Sequence, residues 1–168
     1  MALSSAVTST HRSFTDNKIP NIAAISDSKR KALLKLSDKK NQLVRRFNVM
    51  QKESNLASRI YKVSSFLHEH PKVLNRGETV DAYWNLACDS IDIRDSEWSA
   101  KNYCMASSYN QLARKFFSKA LQVHKYCLIT ETDDDKMKSE EFQQKVQQNL
   151  DSVDADEDKI IKMQNVSM

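Results

Sequence analysis

His124 and Cys127 stand one helical turn apart, with Cys104 further back on the same expected helix. Imidazole and thiolate are zinc ligands, but a zinc site needs four donors at motif spacing and no fourth is offered. His68 and His70 lie two residues apart, about 200° around a helix, and so share no face for a metal. "DADEDKIIKMQN" (154–165) places oxygens at the first, third and fifth positions of a calcium loop, with Ile161 at the eighth. It fails where that loop is strict: Lys159 replaces the turn glycine and Asn165 the bidentate glutamate. Asn165-Val166-Ser167 matches a glycosylation sequon, which matters only in a secreted chain. No nucleophile elbow, phosphate loop or metalloprotease helix occurs. The carboxylates fall in solvated runs rather than as pairs under apolar cover, so general acid–base work has no candidate. The expectation is a non-enzymatic protein with no cofactor and no metal.

A second chemistry is electrostatic. "SKRKALLKLSDKKNQLVRRF" (28–47) carries Arg30, Lys31, Lys35, Arg45 and Arg46, and Lys52 follows. On a helix these fall broadly opposite Leu36, Leu43, Phe47 and Met50, a geometry suited to phosphates or to an anionic membrane surface. No aromatic is interleaved on the basic face, so single-stranded bases have no stacking platform there. The net charge of +4 conceals a gradient. Residues 1–63 hold 13 Lys/Arg against 4 Asp/Glu, whereas residues 128–168 hold 5 against 11. A basic front and an acidic back can attract each other, other copies or different partners.

The elements that must carry these groups are helical. One glycine and two prolines in 168 residues leave β turns and glycine-lined loops without material. Three cysteines form no disulfide framework, which suits a reducing compartment, cytoplasmic or nuclear. No apolar run reaches the length of a membrane span. The Ser/Thr-rich start "MALSSAVTSTHRSF" resembles an organellar transit peptide only faintly, and residues 1–25 read as a disordered N-terminal segment.

Apolar spacing predicts an all-α bundle of about five helices over residues 26–155, followed by a mobile acidic tail over 156–168. Helix one, capped by Ser26 or Ser28, carries the stripe Leu33, Leu36, Leu43, Val44, Phe47 and Met50. The stripe then changes side, which predicts a break near 52–55 before Leu56, Ile60, Val63 and Leu67. Pro71 ends that second helix near His70. A third helix spans about 78–93 with Val80, Tyr83, Trp84, Ala87 and Ile91 inward. A fourth, capped by Asp95 or Ser96, spans about 97–129, and a fifth carries Phe142, Val146, Leu150 and Val153.

The fourth helix places alanine at 106, 113 and 120, a seam that lets a neighbouring helix approach to the near end of the usual 8–10 Å separation. Tyr103, Tyr109, Leu112, Phe116 and Phe117 stand around it as candidates for a core or for a partner groove. "AKNYCMASSYNQLARKFFSKALQVHKY" resembles the second helix of the microtubule-interacting-and-trafficking domain, through Asn102, Tyr103, Ala106, Ala113, Phe116, Phe117 and Ala120. "AYWNLACDS" resembles its first helix through Leu86 and Ala87, and "DKMKSEEFQQKVQQNLDSV" its third through Lys145, Leu150 and Asp151. The likeness covers about residues 80–155, with longer inter-helix segments than the family has. Ala113, Phe117 and Ala120 also match the spacing of a tetratricopeptide helix, but a single unit of that kind needs stacked neighbours and no second copy is present. The resemblance implies an adaptor module, residues 78–153, that receives an amphipathic helix or peptide of a partner protein. Composition leaves two other readings open. One is a small basic nucleic-acid-binding protein, such as a viral accessory or packaging factor, using residues 28–52. The other is a structural, self-associating subunit of a larger helical assembly.

Overall fold

The computed structural model describes residues 26–125 and 133–167, with residues 133–135 described by their backbone alone. Within these residues the fold is all-α, with five helices and no strand: α1 (Asp27–Gln51), α2 (Leu56–Glu69), α3 (Arg76–Ser99), α4 (Tyr103–Lys125) and α5 (Asp133–Ser167). The expectations for residues 1–25, for Cys127 and for the turn around residue 130 lie outside the described residues.

The α1–α2 break falls where the apolar stripe changes side. Asn55 caps α2, its side chain accepting from the Ser58 N–H at 2.9 Å. Lys62 donates to Glu53 across that corner and holds the Glu53 carboxyl below its usual range. α2 stops at Glu69, two residues before Pro71. Asn75 then starts α3 with a capping box: its side chain accepts from the Glu78 N–H at 2.8 Å, and the Glu78 carboxylate accepts from the Asn75 N–H at 2.9 Å. This cap draws Gly77 into the first turn, so the loop expected up to residue 77 is shorter than the sequence suggested.

Two boundaries differ from expectation. α3 continues to Ser99 instead of ending near 93, and α4 begins at Tyr103 instead of 97. The turn between them is a Schellman motif: the Asn102 N–H bonds the Glu97 carbonyl at 2.8 Å and the Lys101 N–H bonds the Trp98 carbonyl at 2.9 Å. Lys101 takes the left-handed position, φ 62°, that glycine usually fills. Trp98, expected in the fourth helix, therefore closes the third and sets its ring 5.3 Å from Tyr103, edge to face.

At the C-terminal end α5 continues past residue 155 to Ser167, and Ile160 is only 2% exposed.

The helices pack in chain order, each on the next, and α3 with α4 form the closest pair. Ala106, Ala113 and Ala120 are all fully buried. The antiparallel register is set by Arg94 on Asn110, Tyr83 on Phe116 and Trp84 on Phe117. It brings Ala113 level with Ala87 and Ser90, both also fully buried. The alanine seam is thus closed within this chain's own bundle.

Candidate interaction surface

Closure of that seam decides the first group of candidate residues. Phe116 and Phe117 lie in the core, Tyr109 and Leu112 pack half-buried against it, and Tyr103 sits on Trp98. Phe116 and Phe117 therefore belong to the core, Tyr109 and Leu112 to its edge, and Tyr103 lies outside it. His124 bonds Ser139 at 2.7 Å and packs its ring, tilted, against Phe142 at 4.5 Å, tying α4 to α5. Among the described residues no three His, Cys, Asp or Glu side chains gather as metal ligands.

Sequence reasoning missed a polar lattice joining α3, α4 and α5. Arg94, buried, donates to Asn110 Oδ1 at 2.8 Å, Asp156 Oδ2 at 3.2 Å and Asp95 Oδ1 at 2.7 Å. Asn110, also buried, donates to the Val153 carbonyl at 2.9 Å and to Glu157 at 2.8 Å. Ser107 donates to the other Glu157 oxygen at 2.5 Å, and Arg114 pairs with Asp154 at 2.7 Å. The available signal was Asn110 itself, a polar residue standing in line between Ala106 and Ala113. Asp154 and Asp156, the first two oxygens of the rejected calcium loop, are committed to arginines on a continuous helix.

Between α2 and α3 lies an open cleft of about 540 Å³, lined by Arg59, Trp84, Cys88, Asp89 and Asp92 among others. Arg59 grips Asp89 with two bonds, 2.7 and 2.6 Å, and reaches the Glu53 carbonyl at 3.1 Å. That bond to Asp89 raises the Arg59 pKa further. Burial raises the Asp92 carboxyl, with Asp89 and Asp95 adding to the effect. Burial pushes the Cys88 thiol up to about 11, again helped by Asp92 and Asp89. A nucleophilic cysteine needs the opposite shift, so the cleft holds no activated thiol.

At pH 8 a thiol of that pKa is ionised in about one molecule per thousand. In a Cys127→Ser background, iodoacetamide should therefore alkylate exposed Cys104 completely while Cys88 stays almost unlabelled, as read by peptide mass spectrometry. Comparable labelling of both would refute the half-buried placement of Cys88. The sign for stability also follows. Because the folded thiol titrates above its ordinary value of 9, the contribution of Cys88 to stability is full below pH 9 and is lost as pH rises toward 11.

The second group, Arg30, Lys31, Lys35, Arg45, Arg46 and Lys52, is exposed throughout. So is every residue from 26 to 42, apolar ones included: Leu33 is 47% exposed and Leu36 63%. Further along the same face Phe47 is 4% exposed, its ring 5.4 Å from Phe66 of α2. α1 has 25 residues and α2 has 14, so the apolar stripe of α1 runs past the end of the helix that covers it. At about 1.5 Å per residue, the uncovered part reaches about 24 Å.

No helix among the described residues is long and apolar enough to cross a membrane. Comparison with protein-family models finds no match, and neither curated proteins nor solved structures include a similar one.

Proposed function

We propose that this protein is a non-enzymatic helical adaptor, in which α2–α5 form the body and the free half of α1 docks an amphipathic helix of a partner protein. One observation carries this reading. Leu33 and Leu36 continue the face on which Phe47 is buried, yet nothing in the described chain covers them. An isolated helix of that length gains little from propensity alone and is stabilised chiefly by an apolar partner. The partner adds a helix to the stripe beyond α2, recognised by anchors three and four residues apart. The resemblance of residues 80–155 to the microtubule-interacting-and-trafficking module also suggests an adaptor, although here the helix-receiving face moves from the alanine seam to α1. A reducing compartment, cytoplasmic or nuclear, fits the free Cys88 and Cys104.

Charging the stripe tests the proposal. The double variant Leu33→Glu/Leu36→Glu changes two exposed positions, so its melting temperature should stay within about 2 °C of the parent. Proteins crosslinked to the parent in its native extract should be lost with the variant. An unchanged crosslinking pattern would refute α1 as the docking element.

A second reading is favoured by the exposure of all six basic candidates: α1 lies along nucleic-acid phosphates. Six such contacts would give a slope of log affinity against log salt of about −5 on duplex DNA. Titrating RNA and DNA at two salt concentrations distinguishes this reading, since the adaptor needs no salt-sensitive binding of nucleic acid.

A further inference from the structure

The uncovered stripe of α1 is not purely apolar. Read at coiled-coil spacing, its seam runs Lys29, Leu33, Leu36, Lys40, Leu43, Phe47, so two lysines bracket the two exposed leucines. Lys29 lies eighteen residues, five full turns, before Phe47 and points to the same side. Both lysines are exposed. The two aspartates of α1, Asp27 and Asp38, lie about 140–180° from them around the helix and cannot neutralise them locally.

Resting on the reading of α1 as a docking helix, we propose that its occupant is an acidic amphipathic helix of another protein, seated so that its carboxylates meet Lys29 and Lys40. Charge complementarity selects this occupant over the others. In a parallel pair of two α1 helices each lysine meets its own copy. In the antiparallel pair that sets Leu33 against Leu36, Lys29 falls opposite Lys40, because both pairs of numbers sum to 69. Like charges therefore meet in both arrangements, and the eight Lys/Arg against two Asp of α1 add a general repulsion. Residues 1–25 contain a single acid, Asp16, and cannot supply two carboxylates. The acidic helix α5 already spends its seam, Val146, Leu150 and Val153, on this chain's own core. A lysine at a seam position is a known device for fixing register and partner at some cost in stability. Here two lysines eleven residues apart specify a partner helix with acids at matching seam positions and leucine-type anchors between them.

Three synthetic helical probes test this on the full-length protein by fluorescence anisotropy. They share one leucine seam and differ only at two seam positions eleven residues apart, occupied by Glu, Gln or Lys. The Glu probe should bind at least tenfold more tightly than the Gln probe, with the Lys probe weakest. Lys29→Glu/Lys40→Glu should invert that order, and Leu33→Glu/Leu36→Glu should abolish binding of all three. Equal binding of the Glu and Gln probes, lost in the leucine variant, would overturn the acidic specificity while leaving the docking role intact. Binding of no probe would overturn both. A concentration-dependent dimer of the parent, dissolved by the leucine variant, would identify the occupant as a second copy and overturn the proposal.

Discussion

Replacing Ala113 by leucine is expected to cost about 2–3 kcal/mol and to lower the melting temperature by about 5–10 °C. Ala113 is fully buried and stands level with Ala87 and Ser90, so the added carbons have no space between α3 and α4. Ser90 cannot turn aside freely, because its hydroxyl bonds the Leu86 carbonyl at 2.7 Å within α3. The bundle must therefore separate its closest helix pair or push Phe117 out of its edge-to-face contact with Trp84, where the ring centres are 5.0 Å apart. Both responses forfeit close packing over several neighbours. Ser118→Leu, on the exposed side of the same helix, is the control and should change stability by less than about 0.5 kcal/mol. Equal melting temperatures for the two variants would show that the alanine seam is not a close contact.

The seam illustrates which parts of the fold local spacing can reveal. Ala106, Ala113 and Ala120 on α4 and Val146, Leu150 and Val153 on α5 all recur at helical intervals, and all are buried. The break near residue 52 was legible because the stripe of α1 and that of α2 cannot share one helical face. The α3–α4 boundary was not legible. Its Schellman turn places Lys101 at the left-handed position, so the glycine that would mark a helix stop is missing. The C-terminal extent of α5 was hidden for a different reason. Asp154, Asp156 and Glu157 read as a solvated run, and only the register of α5 on α4 turns them into partners of Arg114, Arg94 and Asn110.

The stripe of α1 divides in the same way. Its stripe of leucines was visible as a periodicity, and the basic residues around it as a charge run. Which half would remain uncovered depended on where α2 ends, and Pro71 sets that end at Glu69, nineteen residues after the stripe's last member, Met50. Exposure of Leu33 and Leu36 is thus a property of two helix lengths taken together. Neither helix reveals it when read alone. The same comparison explains how one seam has two environments: Phe47 and Met50 pack α1 on the body, while Leu33 and Leu36 stay exposed.

The other large effect is expected at Arg94. Arg94→Met keeps the length and apolar stem of the side chain but removes its donors to Asn110, Asp156 and Asp95. Asp95 is half exposed and recovers its solvation. Asn110 Oδ1 is left buried without that donor, and Asp156 keeps only its Lys159 contact at 2.9 Å. Breaking a buried charged network in this way costs about 2–4 kcal/mol. The loss should be felt unevenly along α5. Before Val153 the helix is held by Val146, Leu150 and Val153, whereas beyond it Ile160 is the buried apolar anchor among the described residues. Hydrogen exchange should therefore accelerate first in amides 154–167, with amides around 146–153 following only as the whole protein opens. A cycle with Asn110→Leu measures the coupling, which should be about 1–2 kcal/mol for side chains bonded at 2.8 Å. Uniform loss of protection along α5, with no coupling in the cycle, would mean that apolar contacts hold the C-terminal turns. The observed pairing argues the reverse for the turn after Val153: Asp154, Asp156 and Glu157 hold it to the bundle through Arg114, Arg94 and Asn110, and Ile160 is buried in the turn that follows.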